Sequence, residues 1–151
     1  MPAPQPLPSP PTSLAFAPVS LRLKQIVPGE PARGFAPFYH FAICVESAEV
    51  GHINFRVGDS EHVLFVAGHI GYQVLEAFRG HRYAYSACRA LAPLVRSVYP
   101  AVIITSDPDN FPSLRTIERL GAVFLDEVPV PPSDPNYQRG SRAKRRYQWT
   151  P

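Results

Sequence analysis

Between residues 56 and 84 the chain gathers most of its chemically capable side chains: Arg56, His69 and the run Arg79-Gly80-His81-Arg82-Tyr83-Ala84. The last of these stands where an apolar strand pattern gives way to helical spacing, since Ala84, Ala87, Leu91, Leu94, Val95 and Val98 recur every three or four residues. A helix launched from such a loop has unpaired N–H groups and the positive end of its macrodipole at the start, which suits a phosphate. The stretch from Gly68 to Ala84 therefore reads as the seat of a coenzyme's pyrophosphate. His69 is the best-placed titratable group for proton transfer, against the competing reading of a satisfied structural histidine. Arg56 offers a clamp for a carboxylate or phosphate on a substrate, against an exposed hairpin charge.

The elements that must position these residues follow from periodicity. Ser20 to Val27 alternates apolar and polar side chains, as a half-buried strand does. Phe38 to Val45 and Val50 to Val57 form the arms of a hairpin around a polar turn. Val63 to Val74 reads as one long strand, in which Gly68 and Gly71 mark a bulge or a place where something approaches the backbone closely. Pro93 falls inside the following helix and should kink it. Ala101 to Thr105 is a short, wholly apolar strand. Asn110 caps a second helix whose first turn tolerates Pro112, whose core face is Leu114, Ile117 and Leu120, and which Gly121 ends. Val123 to Val130 and Ala143 to Trp149 complete the strands. Hairpins come first and crossover helices later, so the fold class is α/β with a mixed, mostly antiparallel sheet.

Composition sets the outer bounds. The chain of 151 residues is expected to divide into a proline-rich, disordered tail over residues 1–18 and one domain over residues 19–151. The net charge of +3 permits an anionic ligand without demanding nucleic acid. Arg139, Arg142, Lys144, Arg145 and Arg146 cluster near the end, but no aromatic platforms are arrayed with them for base stacking. They read as a solvated strand face, or as contacts for an anionic substrate or the adenosine 3′-phosphate of a coenzyme. Cys44 and Cys88 lack metal-ligand spacing and read as reduced and buried. No metal is expected. The start lacks a signal-peptide pattern and no apolar run approaches a membrane span, so a cytoplasmic, membrane-free protein, monomer or homodimer, is the expectation.

The residues also carry a family resemblance. Arg79-Gly80-His81-Arg82-Tyr83-Ala84 resembles the Gln/Arg-x-x-Gly-x-Gly/Ala signature of the GNAT superfamily of N-acetyltransferases, with Arg82 where the middle glycine usually stands. Asn110-Phe-Pro-Ser113-Leu-Arg115-Thr-Ile-Glu118-Arg-Leu-Gly121 resembles the second-helix motif of the branch related to ribosomal-protein N-terminal acetyltransferases. Together they place residues 20–149 under the resemblance. It implies the acyl-CoA N-acyltransferase fold, with Pro28 to Pro37 too short for the helices that usually follow the first strand. It implies acetyl-CoA as cosubstrate and transfer of its acetyl group to the amine of a small molecule or peptide N-terminus. A non-catalytic acyl-CoA-binding module is the alternative.

Under the resemblance Arg79 to Ala84 hold the pyrophosphate, and Tyr72, Gln73 and Val74 give main-chain hydrogen bonds to the pantetheine arm. The Val74 amide also serves the oxyanion, while Asn110 and Ser113 reach the coenzyme. The positions where the family keeps a glutamate base and a tyrosine acid are Thr105 and Ile117, and a fourth-strand glutamate of some members falls on Gly68.

Overall fold

The computed structural model describes residues 7–151. Among these described residues, eight strands and three α-helices follow in order. Strands β1 (Leu14–Phe16), β2 (Val19–Val27), β3 (Phe38–Val45), β4 (Ala48–Arg56) and β5 (Ile70–Val74) form an antiparallel sheet in sequence order. Helix α1 (Tyr83–Val98) crosses to β6 (Val102–Ser106), and α2 (Phe111–Arg119) leads to β7 (Val123–Pro129). After the short α3 (Pro135–Gln138), β8 (Ala143–Trp149) inserts between β6 and β7 as the middle of a second antiparallel sheet. This is a mixed α/β fold with antiparallel sheets, as the element order implied.

The core lies between the five-stranded sheet and α1. Tyr39, Phe41, Ile43, Ile53 and Phe55 project from β3 and β4, and Ala87, Leu91 and Val95 from α1. The three- and four-residue spacing of α1 puts these side chains on one stripe, and burying that stripe is what holds the helix to the sheet. Pro93 is accommodated inside α1, which runs to Val98. In α2, Asn110 caps by accepting from the Ser113 amide, Leu114 and Ile117 face the core, and Gly121 follows the helix at φ +77°.

Two expectations change. Of the anticipated tail, residues 1–6 lie outside the described residues, but Leu14–Phe16 is the edge strand of the first sheet and Leu14 is buried. Beyond Pro11 the chain has free amides and an apolar alternation, so it can pair. The carbonyl of Pro8 accepts a 2.6 Å bond from the Tyr39 hydroxyl, which anchors the segment further. The long strand expected over Val63 to Val74 is instead a π-helical turn, His62–Ala67, followed by β5.

β-branched residues favoured the strand reading, but local partners outweigh propensity here. The Ser60 hydroxyl accepts from Val63 N–H, Gly68 N–H closes on the Val63 carbonyl at 2.7 Å, and the Arg146 guanidinium covers exposed Phe65 while donating to the Leu64 carbonyl. Between β2 and β3 the chain makes only one 3-10 turn, Pro31–Arg33.

Candidate active site

The two sheets meet at one point and then part. At the start of β5, the His69 amide donates to the Ile103 carbonyl at 2.8 Å. Beyond it, β5 pairs only with β4, and β6 pairs only with β8. Gly68 is the joint. Its φ is +72°, and a Cβ there would lie 3.0 Å from the Ile103 carbonyl and 3.1 Å from the Thr105 amide. Only glycine can lie that close to β6 in that conformation. The close approach anticipated at the strand glycines is thus internal, by β6 at Gly68 and by the Arg56 guanidinium at Gly71.

Past the joint, β5 has a free edge. Leu75 N–H bonds to the Val50 carbonyl at 2.8 Å and Arg56 N–H to the His69 carbonyl at 2.7 Å. With the observed register, antiparallel alternation turns the main-chain groups of Gly71 and Gln73 toward β4 and those of Tyr72 and Val74 toward the gap. Gln73 therefore departs from its expected main-chain role, while Tyr72 and Val74 have the orientation that role needs. The Tyr72 phenol crosses the gap to the Ser113 hydroxyl of α2 at 3.1 Å, and burial pushes its pKa well above the usual phenol value. Asn110 and Ser113 stand at the same gap, with Asn110 engaged as helix cap.

At the foot of the gap lies the loop before α1. Gly80 has φ +93° and Arg82 φ +58°. Arg82 adopts the left-handed conformation in place of the glycine expected there, and so keeps the loop's turn. Among the described residues, the main-chain N–H groups from Gly80 through Tyr85 have no acceptor, and the first amide bonded back is Ser86 to the Arg82 carbonyl at 3.1 Å. Successive unpaired amides in a left-handed turn at a helix start form a concave anion seat. Arg79 braces this loop by donating from Nε to the Val74 carbonyl at 3.0 Å, and the His81 ring stacks on Tyr83.

The gap also opens into a cavity of about 680 Å³ between the sheets. β5 and β6 contribute Tyr72, Gln73 and Thr105 to its lining, and Arg56, His62 and Arg139 line it as well. His62 was not anticipated. Its Nδ1 lies 2.6 Å from Asp134 Oδ2, so Nδ1–H donates to the carboxylate and Nε2 is left with the lone pair. Burial alone would raise the Asp134 pKa, but bonds from the Asn136 amide, His62 and the Asn136 side chain outweigh it and lower it. The π-helical turn that carries His62 and the cap of α3 that carries Asp134 are brought together only by the fold.

The family model described as an acetyltransferase (GNAT) domain matches residues 16–123. The chain belongs to the GNAT acetyltransferase family. Solved structures agree in fold. RimL, the ribosomal L7/L12 alpha-N-protein acetyltransferase, is 17% identical over 90% of this chain and 95% of its own, with a TM-score of 0.62. An acetyltransferase from Agrobacterium tumefaciens is 18% identical over 97% and 99%, also at 0.62. The microcin C7 self-immunity acetyltransferase MccE, solved with acetyl-CoA and AMP, is 18% identical over 76% of this chain, with a TM-score of 0.59. The chain spans 61% of that MccE structure and 62% of a RimL structure solved with coenzyme A. No curated protein sequence matches it. No helix among the described residues is long and apolar enough to cross a membrane, and they hold no cluster of metal-ligating side chains.

At the two positions where the resemblance expects a base and an acid, the side chains present supply neither. The Thr105 hydroxyl donates to the Val66 carbonyl at 2.6 Å, and Ile117 is fully buried. Cys88 is also enclosed, with its thiol pushed up to about 12 by burial. His69, anticipated as a base, is corrected by its bonds. Nδ1 accepts from the Ile103 amide at 2.9 Å, Nε2–H donates to the Gly58 carbonyl at 3.1 Å, and only 4% of the residue is exposed. No lone pair remains to take a proton, so His69 pins the joint between the sheets.

Replacing His69 by leucine orphans a buried amide and a carbonyl and should cost about 2–4 kcal/mol in urea unfolding at pH 7. Desolvation lowers the His69 pKa below its ordinary 6.5 in the folded chain. Its stabilisation is therefore present above about pH 6.5 and is lost as pH falls through the folded-state value. The gap in stability between wild type and His69→Leu should narrow from pH 7 to pH 5.

The basic end also resolves. Lys144 pairs with Asp107 at 2.7 Å, Arg146 with Asp126 at 2.9 Å, and Arg142 and Arg145 lie over the rings of Tyr137 and Phe124. Arg139 makes no ion pair among the described residues and faces the cavity. Asp107 also accepts from the Ser141 hydroxyl at 2.7 Å, which ties the turn before α2 to the approach to β8.

Proposed function

We propose that the chain transfers the acetyl group of acetyl-CoA to a primary amine by direct attack of the amine on the thioester. The carrying observation is the free β5 edge, which runs from the cavity to a loop of unpaired amides at a helix N-terminus. Strand-like main-chain groups suit the amides of a pantetheine arm, and the loop suits a pyrophosphate. Acetyl-CoA supplies an activated acyl carbonyl. Residues Gly80 to Ala84 hold its phosphates, with Arg79 and Arg82 contributing charge. Tyr72 and Val74 fix the arm, and the Val74 amide donates to the oxygen as negative charge develops on it. Asn110 and Ser113 bound the arm from α2.

His62 takes the proton the amine must lose. It is the imidazole lining the cavity whose Nδ1 is oriented by a carboxylate, which leaves Nε2 as acceptor. Bound acceptor lies beside Arg56, near Gly71 at the start of β5.

Isothermal calorimetry with coenzyme A, and thiol release from acetyl-CoA across a panel of amines, test this reading. Saturable binding with amine-dependent thiol release is the expected result. Tight binding without release from any amine would instead make the chain an acyl-CoA-binding module. The lack of a titratable side chain at Thr105 and Ile117 favours that second reading.

A further inference from the structure

The cavity holds more positive charge than it neutralises. Of the charged residues lining it, Arg33 pairs with Glu30 at 3.0 Å and Lys144 with Asp107 at 2.7 Å. Arg56 and Arg139 are left, with no carboxylate paired to either among the described residues. Arg56 is the deeper. Its Nη1 donates to the carbonyls of Gly68 at 3.2 Å and Ala67 at 3.4 Å, and the guanidinium lies against Gly71, where a Cβ would come within 3.1 Å of Nη1 and 3.2 Å of Nη2. Two carbonyl bonds fix the plane of the fork without neutralising it. A mostly buried cation with no counter-charge is costly, and a second cation facing it adds to the cost. Guanidinium does not shed its proton to escape, so an anion must supply the balance.

The coenzyme's phosphates are not that anion on the reading above. The loop from Arg79 to Ala84 contributes nothing to the lining of this cavity and lies at the far end of the β5 edge. The anion belongs to the other reactant.

We propose that the acceptor is an amine bearing an anionic group, a carboxylate or a phosphate monoester, which Arg56 binds through its fork with Arg139 at the rim. This rests on the acetyl-transfer reading and narrows it. Anchoring the anion at Arg56, against Gly71, leaves the amine end of a short molecule to run along β5 toward Tyr72 and Val74, where the acyl carbonyl is held. Polyamines and polycationic amines meet two unscreened arginines and are rejected.

The test uses matched amines: glycine against glycinamide, and O-phosphoethanolamine against ethanolamine, with spermidine as a cationic arm. Thiol release from acetyl-CoA is the readout. The anionic member of at least one pair should have a kcat/KM about 10- to 100-fold above its neutral partner. Which pair shows the larger ratio separates carboxylate from phosphate.

Arg56→Gln should remove that ratio by raising KM for the anionic amine far more than for its neutral partner, and leave coenzyme A affinity unchanged by calorimetry. Arg56→Lys should restore part of it. Should Arg56→Gln fail to fold, Arg139→Gln, on an exposed residue, should lower the same ratio by a few fold. Equal use of charged and neutral partners, or preference for spermidine, overturns the proposal.

Failure of the transfer reading is distinguishable. If no amine releases thiol, calorimetry of glycine and O-phosphoethanolamine with the coenzyme A complex still decides the anion site. Binding lost in the Arg56 or Arg139 variant supports it, and no binding overturns it.

Discussion

Gly80→Glu should abolish measurable binding of coenzyme A while leaving the chain folded. At φ +93° an L-residue pays about 1–2 kcal/mol of backbone strain, but a Cβ at Gly80 meets nothing within 4 Å, so no packing is disturbed. The damage falls on the ligand. A carboxylate placed beside the unpaired amides of Gly80 to Tyr85 competes for them and repels a pyrophosphate, which carries the same sign of charge. The dissociation constant measured by calorimetry should rise at least about 100-fold, or about 2.7 kcal/mol. Gly80→Ala separates the contributions, because it keeps the strain and omits the charge. Gly140→Glu is the control for strain and charge placed elsewhere: its φ is +104°, its Cβ would also meet open space, and it stands outside the loop. Unchanged binding in Gly80→Glu would remove the phosphate seat and the acetyl-CoA reading with it.

The legible parts of this molecule were those written in local sequence. The loop before α1 announces itself because the change from strand to helical period, the glycine and the basic residues are contiguous, and its amides are unpaired by the geometry of any helix start. Asn110, Pro112 and Gly121 bracket α2 for the same reason. What stayed hidden depends on pairing at a distance. The run from Val63 to Ala67 has strand composition, and bonds from Thr105 of β6 to the Val66 carbonyl and from Arg146 of β8 to the Leu64 carbonyl help hold it in a π-helical turn.

The gap between the sheets comes from Gly68 lying on the backbone of β6, a contact that a strand glycine hints at without naming its partner. His69 could not be separated from a base until both ring nitrogens had partners. Among the basic residues near the end, sequence cannot tell the paired Lys144 and Arg146 from Arg139, because their carboxylates come from the α2 approach and β7.

His62→Gln should lower kcat for amine acetylation by about 10²–10⁴-fold, the range a positioned acid–base group contributes, with KM for acetyl-CoA nearly unchanged. An amine that attacks a thioester carbonyl becomes cationic at nitrogen, and the product amide forms only when that proton leaves. Thr105 and Ile117 cannot take that proton: one is an unactivated hydroxyl whose own proton is held by the Val66 carbonyl, and the other is a hydrocarbon. His62 can, because Asp134 takes up Nδ1–H and holds the ring in the tautomer with Nε2 unprotonated.

Asp134→Asn sharpens the test. Asparagine can still accept from the Asn136 amide and cap α3, so the fold survives, but it loses the charge that orients and stabilises the imidazole. Its kcat should fall in the same direction as that of His62→Gln and by less. The double variant should be no worse than His62→Gln alone, since both changes remove one unit. A structural role for the pair predicts the opposite pattern, with lost stability and kcat per folded molecule intact. Adding imidazole to His62→Ala distinguishes them directly, because only a missing base is restored by a diffusing one.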